Sequence, residues 1–190
     1  MRISAALAAL MLAASAHAAP SAAGDEMGQF IAERGFMARI DQARQAVGLK
    51  ASELVVTSMA FLGVPYRRGG NTAESGFDCS GFVKAMFEQT VGLILPRKAE
   101  QQAAATEKIE RTDLQPGDLV FFNTLRRAFS HVGIYVGDGK FIHSPKPGAQ
   151  VRVEDMRVSY WSRRFDGARR VTAAEIQGPA ALSANEPSAR

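Results

Sequence analysis

Residues 77–87 read Phe-Asp-Cys-Ser-Gly-Phe-Val-Lys-Ala-Met-Phe. Asp78 is a residue type that caps helix starts, because its carboxylate can accept from the unpaired N–H groups of the first turn. Phe82, Val83 and Met86 follow Cys79 by three, four and seven positions, the spacing of one helix face. The stretch therefore predicts a helix from Cys79 to about Thr90, capped by Asp78, with an apolar face packed on a sheet. Cys79 shares that face, so its sulfur points toward the strands. At the first turn, unpaired N–H groups and the positive end of the helix dipole favour the thiolate, the nucleophilic form. Gly81 keeps the approach to the sulfur open. Cys79 is also the only cysteine of the chain. A small buried core residue is the bland alternative, since free cysteines are often that; the helix-start position and two downstream histidines favour a working thiol.

Downstream the hydrophobic period changes. Pro116-Gly117 is a turn, and Asp118–Phe122 reads as a buried strand. His131–Val136 is a strand, Gly137-Asp138-Gly139 a turn, and Lys140–His143 the returning strand. Val151–Val153 and Arg169–Val171 are further short strands. A three-residue loop places Val136 opposite Lys140 and Gly133 opposite His143. His131 then shares a face with His143 as its diagonal neighbour, about 7–8 Å away and within reach of two long side chains. Gly133 leaves room for the imidazole of His143. A two-residue loop shifts the register by one and puts the histidines on opposite faces. On the first geometry His131 is the general base for Cys79, and His143 fixes its ring orientation and tautomer. Each histidine could instead be a half-buried polar residue at a strand end. Zinc held by Cys79, His131, His143 and Asp78 is a further option, disfavoured because these residues lack the short paired spacings of structural zinc sites.

Upstream, Ser52 is positioned to cap a helix over Glu53–Leu62, ended by Gly63-Val64-Pro65. Gly69 to Gly76 is a turn-rich loop, and a short helix is expected over Ala99–Thr106. Helices followed by a run of antiparallel strands define an α+β fold. The ends read differently. Residues 1–18 form an apolar run after Met1-Arg2 and finish in Ala16-His17-Ala18, a signal-peptide pattern with cleavage after Ala18. The run is shorter than the roughly 20 residues of a membrane span, so no transmembrane segment is expected after cleavage. Residues 19–50 read as a linker and helical extension, 51–172 as the main domain, and 173–190 as a disordered tail.

The chain has 190 residues, a net charge of +4 and 46% hydrophobic residues, an ordinary globular balance. The pairs Arg67-Arg68, Arg126-Arg127, Arg163-Arg164 and Arg169-Arg170 suit an anionic polymer, although solvated surface charge explains any one of them equally well. Nucleic acid is not an expected partner of an exported chain with one Trp and three Tyr.

Six segments in order, Gly63–Gly70, Phe77–Val83, Leu95-Pro-Arg97, Leu114–Phe122, His131–Gly137 and Phe141-Ile-His143, resemble the NlpC family of papain-like peptidoglycan endopeptidases. The resemblance spans about Leu54 to Val171. It implies a papain-like α+β fold, with N-terminal helices and the cysteine helix packed on a central antiparallel sheet. It implies Cys79, His131 and His143 as the catalytic set, Tyr66 in the cleft helping to hold the oxyanion, and Asp78 and Ser80 flanking the nucleophile and contacting substrate. Lys98 departs from the pattern, standing where such proteins commonly carry a small hydroxyl residue. The implied substrate is the peptide stem of peptidoglycan, hydrolysed through an acyl-enzyme without a cofactor. An acyltransferase or amidase on the same nucleophile and a non-catalytic wall-binding protein are the alternatives. A thiol redox role is disfavoured, because the chain has no second cysteine to resolve an oxidised Cys79. Export is expected to end in the periplasm rather than outside the cell.

Overall fold

The computed structural model of the protein describes residues 48–124 and 126–172. The expected signal peptide, most of the helical extension and the tail lie outside the described residues. Among the described residues, no helix is long and apolar enough to cross a membrane.

Residues 48–59 are helical (α1). Ser52 is therefore inside a helix and not its cap: its hydroxyl donates back to the Gly48 carbonyl at 3.0 Å. The helix also ends earlier than Leu62, in turns over residues 60–63. The loop expected at Gly69–Gly76 contains a two-stranded ribbon, β1 (Asn71–Thr72) and β2 (Gly76–Phe77). Helix α2 follows (Cys79–Val91) and is stopped by Gly92, whose φ of 74° lies in the left-handed region glycine tolerates. Helix α3 (Ala99–Ala104) is two residues shorter than expected.

The main sheet holds β3 (Glu107–Ile109), β4 (Leu119–Phe122), β5 (His131–Gly137), β6 (Lys140–His143), β7 (Arg152–Asp155) and β8 (Phe165–Arg170). Its order is β3-β8-β4-β5-β6-β7, with every pairing antiparallel. A single-turn helix, α4 (Ser159–Ser162), precedes β8. Strand β4 is a continuous buried run because both sides of the sheet are covered. Leu119 and Phe121 join Val132, Ile134 and Ile142 in the core beneath α2. Val120 and Phe122 pack on the other side with Phe141, Met156 and Trp161.

The β5–β6 hairpin differs from expectation. Gly137 pairs with Lys140, so the loop has two residues, Asp138 and Gly139, both at positive φ (51° and 69°). The register shifts between Tyr135 and Gly137, leaving Val136 as an extra residue, so that Tyr135 opposes Phe141 and Ile134 opposes Ile142. The bulge cancels the offset of the shorter loop. His131 and His143 therefore share a face after all, by a different local device.

Candidate active site

Alternation along the strands decides where the histidines lie. Val132 and Ile134 face α2, so His131 and Gly133 face the Trp161 side. His131 opposes Phe122, His143 opposes Arg152, and Phe141 opposes Glu154, which puts all of these on one face. The first turn of α2 reaches the end of β5 that carries His131. The Val132 N–H, one residue past His131, is directed at the Cys79 sulfur together with the N–H groups of Ser80 and Cys79 itself.

The helix start is held by side chains that turn inward. Asp78 accepts from the Gly81 N–H (2.8 Å) and the Gly69 N–H (2.9 Å). Arg97 clamps the same carboxylate with two bonds, Nη1 to Oδ1 at 2.9 Å and Nη2 to Oδ2 at 2.6 Å, and also donates to the Ser80 hydroxyl at 2.9 Å. The polar atoms of Asp78 and Ser80 are therefore engaged within the chain. Buried Gln102 ties α3 to this point, donating to the Ser80 carbonyl at 3.0 Å. Gly81 is small for a reason other than access to the sulfur: a Cβ there would stand 2.1 Å from the Gly70 carbonyl oxygen. The bare backbone lets the Gly69-Gly70 loop seat on the helix.

Tyr66 comes from the segment docked beside that loop. Its N–H donates to the Ala149 carbonyl at 2.8 Å, and it bridges Phe77. Its phenol pKa is raised by burial, with the charges of Cys79 and Asp78 adding to the rise. From the other side, the Ser144 hydroxyl donates to the Phe77 carbonyl at 2.7 Å. The end of β6, carrying His143, is thereby tied to the start of the cysteine helix.

The two histidines are in direct contact. His131 Nε2 and His143 Nδ1 are 2.6 Å apart and the rings are perpendicular, with centroids separated by 4.9 Å. No room remains for a metal ion between these atoms. Trp161 lies against His131, centroids 5.6 Å apart and nearly parallel, and meets His143 edge-on. A Cβ at Gly133 would lie 2.6 Å from the Phe141 ring, 2.8 Å from the Ile142 carbonyl oxygen and 3.1 Å from the His143 Cβ, so the bare backbone leaves room for His143 and for its strand. Beyond Trp161 a cleft opens, lined by Thr124, Pro145, Lys146, Arg152, Val158 and Tyr160.

Burial sets the resting charge state. It pushes the Cys79 thiol up to about 11, with Asp78 adding to the rise and the three N–H groups only partly offsetting it. The N–H groups at the helix start act in the thiolate's favour as expected, against the larger effect of burial. Burial likewise holds His131 well below its ordinary value, aided by His143 and opposed by Glu154. Both shifts favour the neutral forms, a thiol and an imidazole.

Glu154 and Trp161 carry no motif in the sequence and were not among the expected site residues. Burial alone would raise the Glu154 pKa, but His143, Trp161 and Arg152 draw it down to about 2. Its Oε1 lies 3.7 Å from His143 Nε2, an electrostatic contact rather than a hydrogen bond. Trp161 Nε1 donates to Oε2, and Arg152 pairs with Oε1. The Arg169-Arg170 pair, considered for polymer binding, is used internally. Arg170 grips Asp118 at 2.8 and 2.7 Å, and Arg169 donates to the Ala103 carbonyl at 3.0 Å.

A cysteine at the head of a helix, packed at the end of an antiparallel strand that carries a histidine, defines an α+β fold of papain-like class. Residues 63–170 match the NlpC/P60 family, and the chain belongs to that family. It is 41% identical over 133 residues to murein DD-endopeptidase MepH of Escherichia coli, covering 68% of this chain and 49% of that protein. It is 44% identical over 111 residues to the gamma-DL-glutamyl hydrolase of Bacillus subtilis, covering 58% of this chain and 27% of that protein. The chain therefore spans about half or less of the length of these two relatives. A solved NlpC/P60 family structure from Bacillus cereus superposes with a TM-score of 0.59 at 35% identity, covering 63% of this chain and 39% of that one.

Proposed function

We propose that the protein is a cysteine endopeptidase that hydrolyses peptide bonds in peptidoglycan stem peptides or cross-links. The observation that carries this reading is the contact of His131 with His143 at 2.6 Å, on the strand whose Val132 N–H is directed at the sulfur of Cys79 in the first turn of α2. The similarity to a murein endopeptidase and to a gamma-DL-glutamyl hydrolase supports the substrate class.

Nε2 of His131 is occupied by His143, so Nδ1 is the atom left to accept the Cys79 proton. Because thiol and imidazole are both neutral at rest, proton transfer accompanies attack. The sulfur bonds to the substrate carbonyl carbon as its proton moves to His131. The oxyanion is stabilised by backbone N–H groups at the helix start and by the Tyr66 hydroxyl. His131 then returns the proton to the leaving amine, and a thioester to Cys79 remains. Water attacks that thioester, again losing a proton to His131, and the carboxylic acid product leaves as the thiol re-forms. Asp78, Ser80 and Arg97 act as positioning residues for Cys79. Residues 1–18, ending in Ala16-His17-Ala18, support a site of action outside the cytoplasm, the periplasm by preference.

Mass spectrometry of defined muropeptides, monomeric and cross-linked, tests the reading. The wild type is expected to give fragments whose masses identify the bond, and Cys79→Ala none. In ¹⁸O-labelled water the new carboxyl group acquires the label if water is the acceptor. Unlabelled transfer products, or intact substrates with folded and reduced wild-type protein, would overturn the hydrolase.

A further inference from the structure

We propose that Glu154 is a positioning residue that sets the tautomers of both histidines, leaving Nδ1 of His131 free to take the Cys79 proton. The proposal rests on the peptidase reading of the site and follows from counting donors and acceptors. The His143 ring is completely buried, and among the described residues its Nε2 has no hydrogen-bond partner. The acceptor facing that atom is Glu154 Oε1 at 3.7 Å, so an approach of about 0.8 Å brings it to ordinary N–H···O length. A carboxylate only accepts. Glu154 therefore favours the His143 tautomer protonated at Nε2, which leaves Nδ1 as an acceptor. The 2.6 Å contact then requires His131 to donate from Nε2, and its Nδ1 keeps a lone pair. The opposite tautomer of His143 reverses every step. It would donate from Nδ1, His131 would accept at Nε2 and carry its proton on Nδ1, and the base would present a proton to the thiol. It would also set the Nε2 lone pair against the carboxylate.

The carboxylate is itself fixed. Trp161 Nε1 donates to Oε2 from α4, and Arg152 pairs with Oε1 from β7. Trp161, which lies against His131, thus also orients the group that reaches His131 through His143. When His131 takes the Cys79 proton, the negative charge of Glu154 offsets the new positive charge two rings away. The titratable or charged groups bearing on this line are Cys79 from α2, His131 from β5, His143 from β6, Arg152 from β7 and Lys146 at the cleft wall.

Long-range ¹H–¹⁵N spectra of ¹⁵N-histidine-labelled wild-type protein at neutral pH read the tautomers directly and need no substrate. Both rings are expected to carry the proton on Nε2; an Nδ1 proton on His143 would overturn the proposal. Glutamine can offer either a donor or an acceptor to the ring, so Glu154→Gln is expected to mix the tautomers. It should lower kcat for muropeptide cleavage by about 10–100-fold with little change in KM. It should also move the acid limb of the kcat/KM profile lower, because the charge that supports protonated His131 is gone. Glu154→Asp should recover part of the rate. Full activity and unchanged tautomers in Glu154→Gln, while Cys79→Ala is inactive, would remove Glu154 from the mechanism and leave the peptidase standing. An inactive wild type with the expected tautomers would instead sink the peptidase reading alone.

Discussion

At Cys79 two influences oppose each other. The helix start offers N–H groups to the sulfur, while the surrounding protein removes the water that would solvate a thiolate, and burial prevails. A spectroscopic titration of thiolate absorbance should therefore show a rise well above the ~8.5 of free cysteine, near 11. A midpoint below 7 would mean a resting thiolate–imidazolium pair and contradict the neutral-pair account. The helix start at Cys79 and the shared face of the two histidines were legible in the sequence because helix-cap chemistry and strand alternation use only local spacing. Their protonation was not, since it depends on what lies across the fold. Gly133 shows the same division. Its need to be small beside His143 was readable; the still closer approaches to Phe141 and Ile142 were not. Gly133→Ala should cost about 1–3 kcal/mol in denaturant unfolding; an unchanged midpoint would mean the strands separate without strain.

The elements that carry the site are locked together at the start of α2. Arg97 joins the Leu95-Pro96-Arg97 segment to Asp78 and Ser80, so removing it leaves a partly buried carboxylate short of donors. Arg97→Ala should lower stability by about 1–3 kcal/mol and slow catalysis, while Asp78 still caps the helix. A neighbouring departure points the other way. Lys98 occupies the N-cap position of α3 and makes no side-chain cap bond. Lys98→Ser should supply that bond and raise stability by about 1 kcal/mol in thermal melts; no gain would show that the cap N–H groups are already satisfied. The resemblance marked position 98 as unusual, and the structure gives the local consequence. The hairpin illustrates a limit of reading register from loop length: a two-residue turn and a bulge at Val136 produce the same facing residues as the expected longer loop.

Across the whole domain the sheet is covered on both sides, and this made some elements hard to read. Strand β8 mixes Asp166, Gly167 and two arginines with no clean alternation, and α4 is a single turn too short to show a period. Yet α4 brings Trp161 against both histidines, and β7 brings Glu154. The buried charges also set the pH response of the fold. His131 and His143 titrate below 6.5 when folded, so the unfolded chain binds more protons as pH drops past that point. Their contribution to stability is fully present above 6.5 and is lost below it. Glu154, lowered from 4.5 to about 2, adds a contribution present above 4.5 and lost toward 2. Melting temperature should therefore fall as the solution is acidified from neutrality, and less steeply in His131→Asn; a flat or rising trend would contradict the assignment of neutral buried histidines. The central claim, that Cys79 is the nucleophile, has a direct measurement because the chain contains no other cysteine. Graded alkylation with iodoacetamide, followed by intact mass and muropeptide cleavage on the same samples, is predicted to show activity lost in proportion to the singly modified fraction. Cleavage persisting in fully modified protein would contradict it.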